Sequence, residues 1–221
     1  LSLELMPLGL DGSGLPRFDR ESICSELSLK KDSVVGLYFG RFSDADKMDL
    51  LPLLNAFSDV AKRDKNANLW LGGSVQEKEY FEIVKLWIKR LGLDDQVRVF
   101  VNPDDELKWK LYSAAHFFIS LSDNPQETFG ITLLEAMAFG RPLLVSDYNG
   151  YRNLVDEEFS LSVPTLWNKF PIIDQLSPFL DERTYHRYLG QCLSLDNRVL
   201  LEHLSQLYED SEMRDIMGVN A

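Results

Sequence analysis

Residues 116–146 read HFFISLSDNPQETFGITLLEAMAFGRPLLVS. A short and almost wholly apolar run, His116–Ser120, leads into a polar stretch rich in turn-forming residues. Ile131–Phe139 then carries a single charge and ends on Gly140 and Pro142, a helix stop. A second apolar run, Pro142–Ser146, follows. Strand, loop, helix and strand in this order form one parallel unit. Strands without polar alternation are those whose two faces are both covered by helices.

The same alternation extends upstream. Apolar strand signals occur at Ser33–Gly40, Ala67–Leu71 and Gln96–Val101. Helical periodicity runs between them, with Leu50, Leu51, Leu54, Phe57 and Ala61 in Met48–Ala61, and Phe81, Val84, Trp87, Ile88 and Leu91 in Tyr80–Leu91. Asp104–Ala115 opens on Asn102-Pro103-Asp104-Asp105, which places a cap, a proline and acids at a helix start. Repeated alternation predicts an α/β fold: a Rossmann-like, doubly wound parallel sheet with helices on both faces. Beyond Val155 the pattern changes. Residues 160–182 hold three prolines and no clear period, and helical stretches run from about 183 to 219. The economical reading is one domain over 1–221, in which 160–221 is an irregular connection plus tail helices packed on the sheet.

The chain has 221 residues, 45% of them hydrophobic and 26% charged, enough for a substantial core and too apolar for intrinsic disorder. Its formal net charge of -12 opposes non-specific binding of nucleic acid. A small anion can still bind where a few cations and backbone amides converge. Cys24 and Cys192 allow at most one disulfide and no zinc pattern, and His116, His186 and His203 have no ligand spacing. No apolar run reaches the roughly 18–20 residues of a spanning helix. With no signal-peptide pattern and no Asn-x-Ser/Thr acceptor, the expectation is a cytoplasmic protein, with peripheral membrane attachment of a full-length form left open. The chain does not begin with Met, so a fragment or processed form is expected.

In open parallel sheets ligands bind beyond the C-terminal ends of the strands. Four features there carry chemistry. The 122–130 loop enters a helix through Gly130, and a helix start offers unpaired amides to an anion; a loop that only needs turn residues would read the same way. Glu135 is the single charge in an apolar helix. It is either on an exposed stripe with Thr132 or buried and satisfied by ligand hydroxyls. Gly40-Arg41 and Lys47 bring two cations to a strand end, where they could hold a diphosphate or could equally be solvated. Asp44-Ala45-Asp46 reads as a helix cap, and no metal is expected. The chain has no GxGxxG, GxxxxGK[ST] or GxSxG, which leaves dinucleotide, phosphate-loop and hydrolase readings without their core motifs.

Together these residues resemble the C-terminal domain of a retaining glycosyltransferase of the GT-B fold, glycosyltransferase family 4. Glu127–Pro142 (ETFGITLLEAMAFGRP) is similar to that family's E-x7-E signature, Gly40-Arg41 and Lys47 to its GR…K element, and Met6–Asp11 (MPLGLD) to its P-x-G-x-D segment. Met48 and Asn102-Pro103 stand where the family commonly has glycine, and 160–195 is longer than its usual connection. The resemblance implies a donor-binding domain that takes a nucleotide-diphosphate sugar as its substrate, with no metal and no further cofactor. Arg41 and Lys47 would contact the diphosphate and Glu127 the sugar hydroxyls; these three are the implied catalytic set. Phe129, Gly130, Ile131 and Thr132 would face phosphate or sugar. Glu135 would accept from the ribose, and Gly40 and Asn102 would line the pocket, with Lys108 near the base. The acceptor, whether glycan, lipid or protein, is unidentified. In the family its site lies on an N-terminal domain missing from this chain, so the chain is expected to be inactive alone. The alternative is a non-catalytic nucleotide-sugar-binding or regulatory module.

Overall fold

The computed structural model of the chain describes residues 9–124, 127, 129–168 and 170–221. Met6–Leu8 of the upstream segment and Pro125, Gln126 and Thr128 of the long loop lie outside the described residues. Among those described, six strands form one parallel sheet: β1 (Val34–Phe39), β2 (Ala67–Gly73), β3 (Val97–Val101), β4 (Phe117–Ser120), β5 (Leu143–Ser146) and β6 (Ser160–Val163). Their spatial order is β3-β2-β1-β4-β5-β6, so the winding reverses between β1 and β4. The strand-end loops part at that point, leaving a crevice.

Strands β1 to β5 supply apolar side chains to both faces. In β4, Phe117 and Ile119 enter one hydrophobic cluster and Phe118 the other; in β2, Leu69 and Leu71 oppose Trp70 in the same way. Helices α1 (Arg20–Glu26), α4 (Asp105–Ala114) and α5 (Ile131–Ala138) cover one face through Ile23, Leu111, Tyr112, Leu133 and Ala136. Helices α2 (Leu51–Arg63) and α3 (Lys78–Arg90) cover the other through Leu53, Phe57, Val60, Val84 and Ile88. The expected doubly wound α/β architecture is therefore present.

Three differences from the sequence reading have physical causes. Helix α2 starts at Leu51 and not at Met48, because Pro52 suits the first turn, where no amide hydrogen is needed. Met48 and Leu50 are nonetheless wholly buried, as loop residues. Helix α1 was not anticipated; its start is set by Asp19, whose carboxylate accepts from the Ser22 amide. The region read as irregular from 160 opens on an edge strand, β6, where Ser160-Leu161-Ser162-Val163 pairs with β5. Four residues with serine at alternate positions are too few to register as an apolar strand.

The remaining chain forms β7 (Thr165–Trp167), α6 (Pro171–Leu176), α7 (Glu182–Gln191), β8 (Leu193–Leu195), α8 (Asn197–Glu209) and α9 (Ser211–Asn220), with β7 and β8 antiparallel. Helix α8 completes the second face. Tyr208 packs edge-on against Phe117 and donates its hydroxyl to the Asn68 carbonyl at 2.7 Å.

His116 ties β4 to β1. Its amide donates to the Val35 carbonyl at 2.8 Å, and its Nδ1 accepts from the Val35 amide at 2.9 Å. Burial drives its pKa from 6.5 down to about 3, aided by Arg20, Arg214 and Arg141. The folded state therefore resists protonation that the unfolded chain accepts. The stability held above pH 6.5 is lost progressively as pH falls toward about 3. In denaturant titrations across this range, His116→Asn is expected to show a shallower acid-side fall than the wild type. An identical fall would assign the acid sensitivity to other groups.

Candidate functional site

The crevice between β1 and β4 is closed by two loops that hydrogen-bond to each other. The Asp49 amide donates to Asp123 Oδ2 at 3.0 Å, Ser122 Oγ donates to the Lys47 carbonyl at 3.3 Å, and Asn124 Nδ2 donates to the Ala45 carbonyl. The β1–α2 loop, which carries Arg41 and Lys47, is thus held in register with the β4–α5 loop, which carries Glu127.

At the centre Lys47 is buried, and its Nζ forms an ion pair with Glu127 Oε2. The Tyr151 hydroxyl lies 3.4 Å from the same ammonium and 2.7 Å from Ser120 Oγ. Gly40 makes room for Lys47, since a Cβ there would come within 2.9 Å of the Tyr38 hydroxyl and 3.2 Å of Lys47 Cε. Gly130 caps α5 in the left-handed region at φ +87°, and a Cβ would strike the Tyr151 ring at 2.6 Å. Glycine is thus required at Gly130 on two counts. The α5 entry has no side-chain cap, Ile131 is half exposed, and the Thr132 hydroxyl is buried without a hydrogen-bond partner.

A second cluster lies one helical turn further along α5. Glu135 is only 7% exposed. It is not on an exposed stripe, and its burial does not depend on ligand hydroxyls: Lys108 Nζ reaches Oε1 at 2.6 Å and the Tyr112 hydroxyl donates to Oε2 at 3.0 Å. The protein supplies both the counter-charge and the hydrogen bonds that a buried carboxylate requires.

The remaining expected residues are more dispersed. Arg41 is exposed; its guanidinium donates to the Asp46 carbonyl at 2.8 Å and lines a cleft of about 760 Å³ with Asp46, Arg183 and His186. Asn102 directly follows β3, two strands from β1, in the left-handed region at φ +48°. Phe129 adjoins Gly130 at the helix entry.

Asp44 and Asp46 do not cap α2, whose N-cap position is Leu50 with no side-chain cap; Asp49, just before it, accepts from the Leu51 amide at 3.0 Å. Asp44 instead accepts from Arg187 Nε at 3.1 Å, and Asp46 lies 3.6 Å from Arg183. The same two arginines grip the buried Glu77 at 2.6 and 2.8 Å. Among the described residues no group of three His, Cys, Asp or Glu side chains could hold a metal ion. Sequence reasoning missed Tyr151 and Tyr112. The first follows Gly150 in the loop after β5, and the second lies four residues after Lys108.

The family model for glycosyl transferases group 1 matches residues 19–190. The chain belongs to this family. It is 33% identical over 159 residues to mannosylfructose-phosphate synthase of Agrobacterium fabrum, an alignment covering 69% of this chain and 34% of that relative's length. The C-terminal domain of a group 1 glycosyl transferase from Francisella tularensis has a similar structure, with a TM-score of 0.69 at 17% identity, covering 96% of this chain and 94% of that one. Anabaena HepE, solved with UDP and glucose, matches with a TM-score of 0.59 at 18% identity, covering 94% of this chain and 53% of that one. The group 1 sheet seen here is accordingly the C-terminal half of a GT-B fold.

In this group 1 domain the loop contact at Asp123 carries a pH signature. Asp123 Oδ1 is enclosed and has no hydrogen-bond partner, and burial pushes the carboxyl from 3.8 up to about 8, the Asp49 amide opposing the rise. The folded chain keeps a proton that the unfolded chain releases. The associated stability is complete below pH 3.8 and erodes as pH rises through about 8. Asp123→Asn keeps the shape and removes the titration. Its denaturation midpoint is expected to stay flatter than the wild type's between pH 5 and 9, and parallel curves would show that Asp123 is not the source.

Proposed function

We propose that residues 1–221 form a single donor-binding domain of a retaining, metal-independent glycosyltransferase of family 4, which transfers a sugar from a nucleotide-diphosphate sugar. The observation that carries this reading is the placement of Lys47, Glu127, Gly130 and the α5 N-terminus around one crevice at the point where the sheet winding reverses. The E-x7-E resemblance and the UDP and glucose of the HepE structure support it.

Breaking a sugar–phosphate bond leaves negative charge on the diphosphate. Arg41, Lys47 and the α5 amides would stabilise that charge as fixed cations and dipoles. Glu127 would accept from hydroxyls of the sugar, Glu135 from those of the ribose, and Asn102 would border the base. Without donor, Lys47 and Glu127 neutralise each other. With donor, Lys47 turns its charge to the diphosphate while Glu127 takes the sugar. The acceptor would bind an N-terminal domain of the full-length protein, and this chain alone would not turn over. We place the enzyme in the cytoplasm.

Calorimetry with UDP, GDP, ADP and NAD tests the reading. A nucleoside diphosphate is expected to bind, and Arg41→Ala should weaken it by about tenfold or more, the weight of one charged hydrogen bond. Glu127→Gln should leave nucleoside diphosphate affinity equal or higher, because Lys47 is released, while removing the gain contributed by the sugar. Binding of NAD alone, or of no nucleotide, would overturn the proposal.

A further inference from the structure

Glu135 enters the site with two of its acceptor positions already used, and both donors come from one helix face of α4, at positions 108 and 112. An ionised carboxylate has about four acceptor positions, two on each oxygen. Lys108 takes one on Oε1 and Tyr112 takes one on Oε2, which leaves one on each oxygen.

Both donors are themselves held in place. The Lys108 ammonium lies 4.3 Å from the Trp109 ring centre and 5.5 Å from that of Phe39. Trp109 stacks on Phe139, just past the end of α5, with centroids 5.8 Å apart and planes 12° from parallel. Tyr112 stacks on Phe118 of β4 at 5.5 Å and 15°. Burial and the neighbouring Glu135 raise its pKa well above the usual phenol value, so it stays a donor. The carboxylate is therefore gripped between α4 and α5, with neither oxygen free to rotate.

We propose that Lys108 and Tyr112 are positioning residues that fix Glu135 so that one acceptor position on each oxygen faces a vicinal diol, and that this grip makes the site select ribonucleotides over 2′-deoxyribonucleotides. The inference rests on the donor-binding reading above. A ribose offers two adjacent hydroxyls, one for each oxygen, and a 2′-deoxyribose offers one. Lys108 also cancels the carboxylate charge, which would otherwise repel a diphosphate bound in the same crevice.

The test is titration calorimetry of the 221-residue chain with UDP, GDP and ADP, each beside its 2′-deoxy counterpart, with inorganic pyrophosphate as control. For the nucleotide that binds, the wild type should favour the ribo form by about tenfold or more, as loss of one hydrogen bond to a charged group implies. Lys108→Met should bring that ratio close to one, Tyr112→Phe should lower it part-way, and Lys108→Arg should restore most of it. Pyrophosphate affinity should be unchanged in Tyr112→Phe and Lys108→Arg, which keep the Lys108–Glu135 charge balance, and lower in Lys108→Met, where the carboxylate charge is no longer cancelled. Tyr112→Phe removes one oxygen and no ring contact, so it remains informative if Lys108→Met does not fold. A wild type that binds no nucleoside diphosphate overturns the donor-binding reading and this inference together. A ribo preference that disappears in Glu135→Gln but persists in Lys108→Met and Tyr112→Phe overturns this inference alone, as does a wild type that does not distinguish the two sugars.

Discussion

Lys47 and Glu127 come from loops on opposite sides of the β1–β4 crevice and meet in a nearly dry environment. Two buried opposite charges are tolerated only in close contact and with further polar partners, which here include the Tyr151 hydroxyl and, behind it, Ser120. That requirement sets the arrangement around it. A Cβ at Gly40 would crowd the Tyr38 hydroxyl and the Lys47 stem, and Gly130 has to lack a side chain so that Tyr151 can stand beneath the pair. The loop-to-loop hydrogen bonds at Asp123, Ser122 and Asn124 keep the two sides at the separation the pair needs.

The same rule recurs at each buried charge nearby. Glu135 is matched by Lys108 and Tyr112, and Glu77 by Arg183 and Arg187. The chain has 23 cations for 35 acids, and it places several of those cations on buried carboxylates at the C-terminal edge of the sheet. Arg183 and Arg187 also fasten α7 over the loop that carries Arg41, which links the late part of the chain to the first strand-end loop.

Membership of glycosyl transferases group 1 accounts for the shared sheet and for the Glu127–Pro142 stretch. The chain spans 34% of the length of its Agrobacterium relative, and the rest of such a protein is where acceptor chemistry is proposed to lie. What this domain contains is a preorganised charge pattern: two largely buried carboxylates, Glu127 and Glu135, each paired with its own lysine.

The apolar strand runs and the helix stop at Gly140 and Pro142 determined the parallel sheet, because a strand covered on both faces has no polar alternation and a helix cannot continue through that pair. The spacing of Glu127 and Glu135 on either side of Gly130 likewise determined that both carboxylates flank one helix entry. Tertiary structure decided their partners. Nothing local to Glu135 reveals that Lys108 and Tyr112, more than twenty positions upstream, face it across α4, and nothing local to Asp44 or Asp46 reveals the α7 arginines that displaced the expected cap. The edge strand β6 and the role of Tyr151 were hidden for the same reason: hydrogen-bond pairing and charge neutralisation are satisfied through space, between segments whose separation along the chain carries no periodic signal.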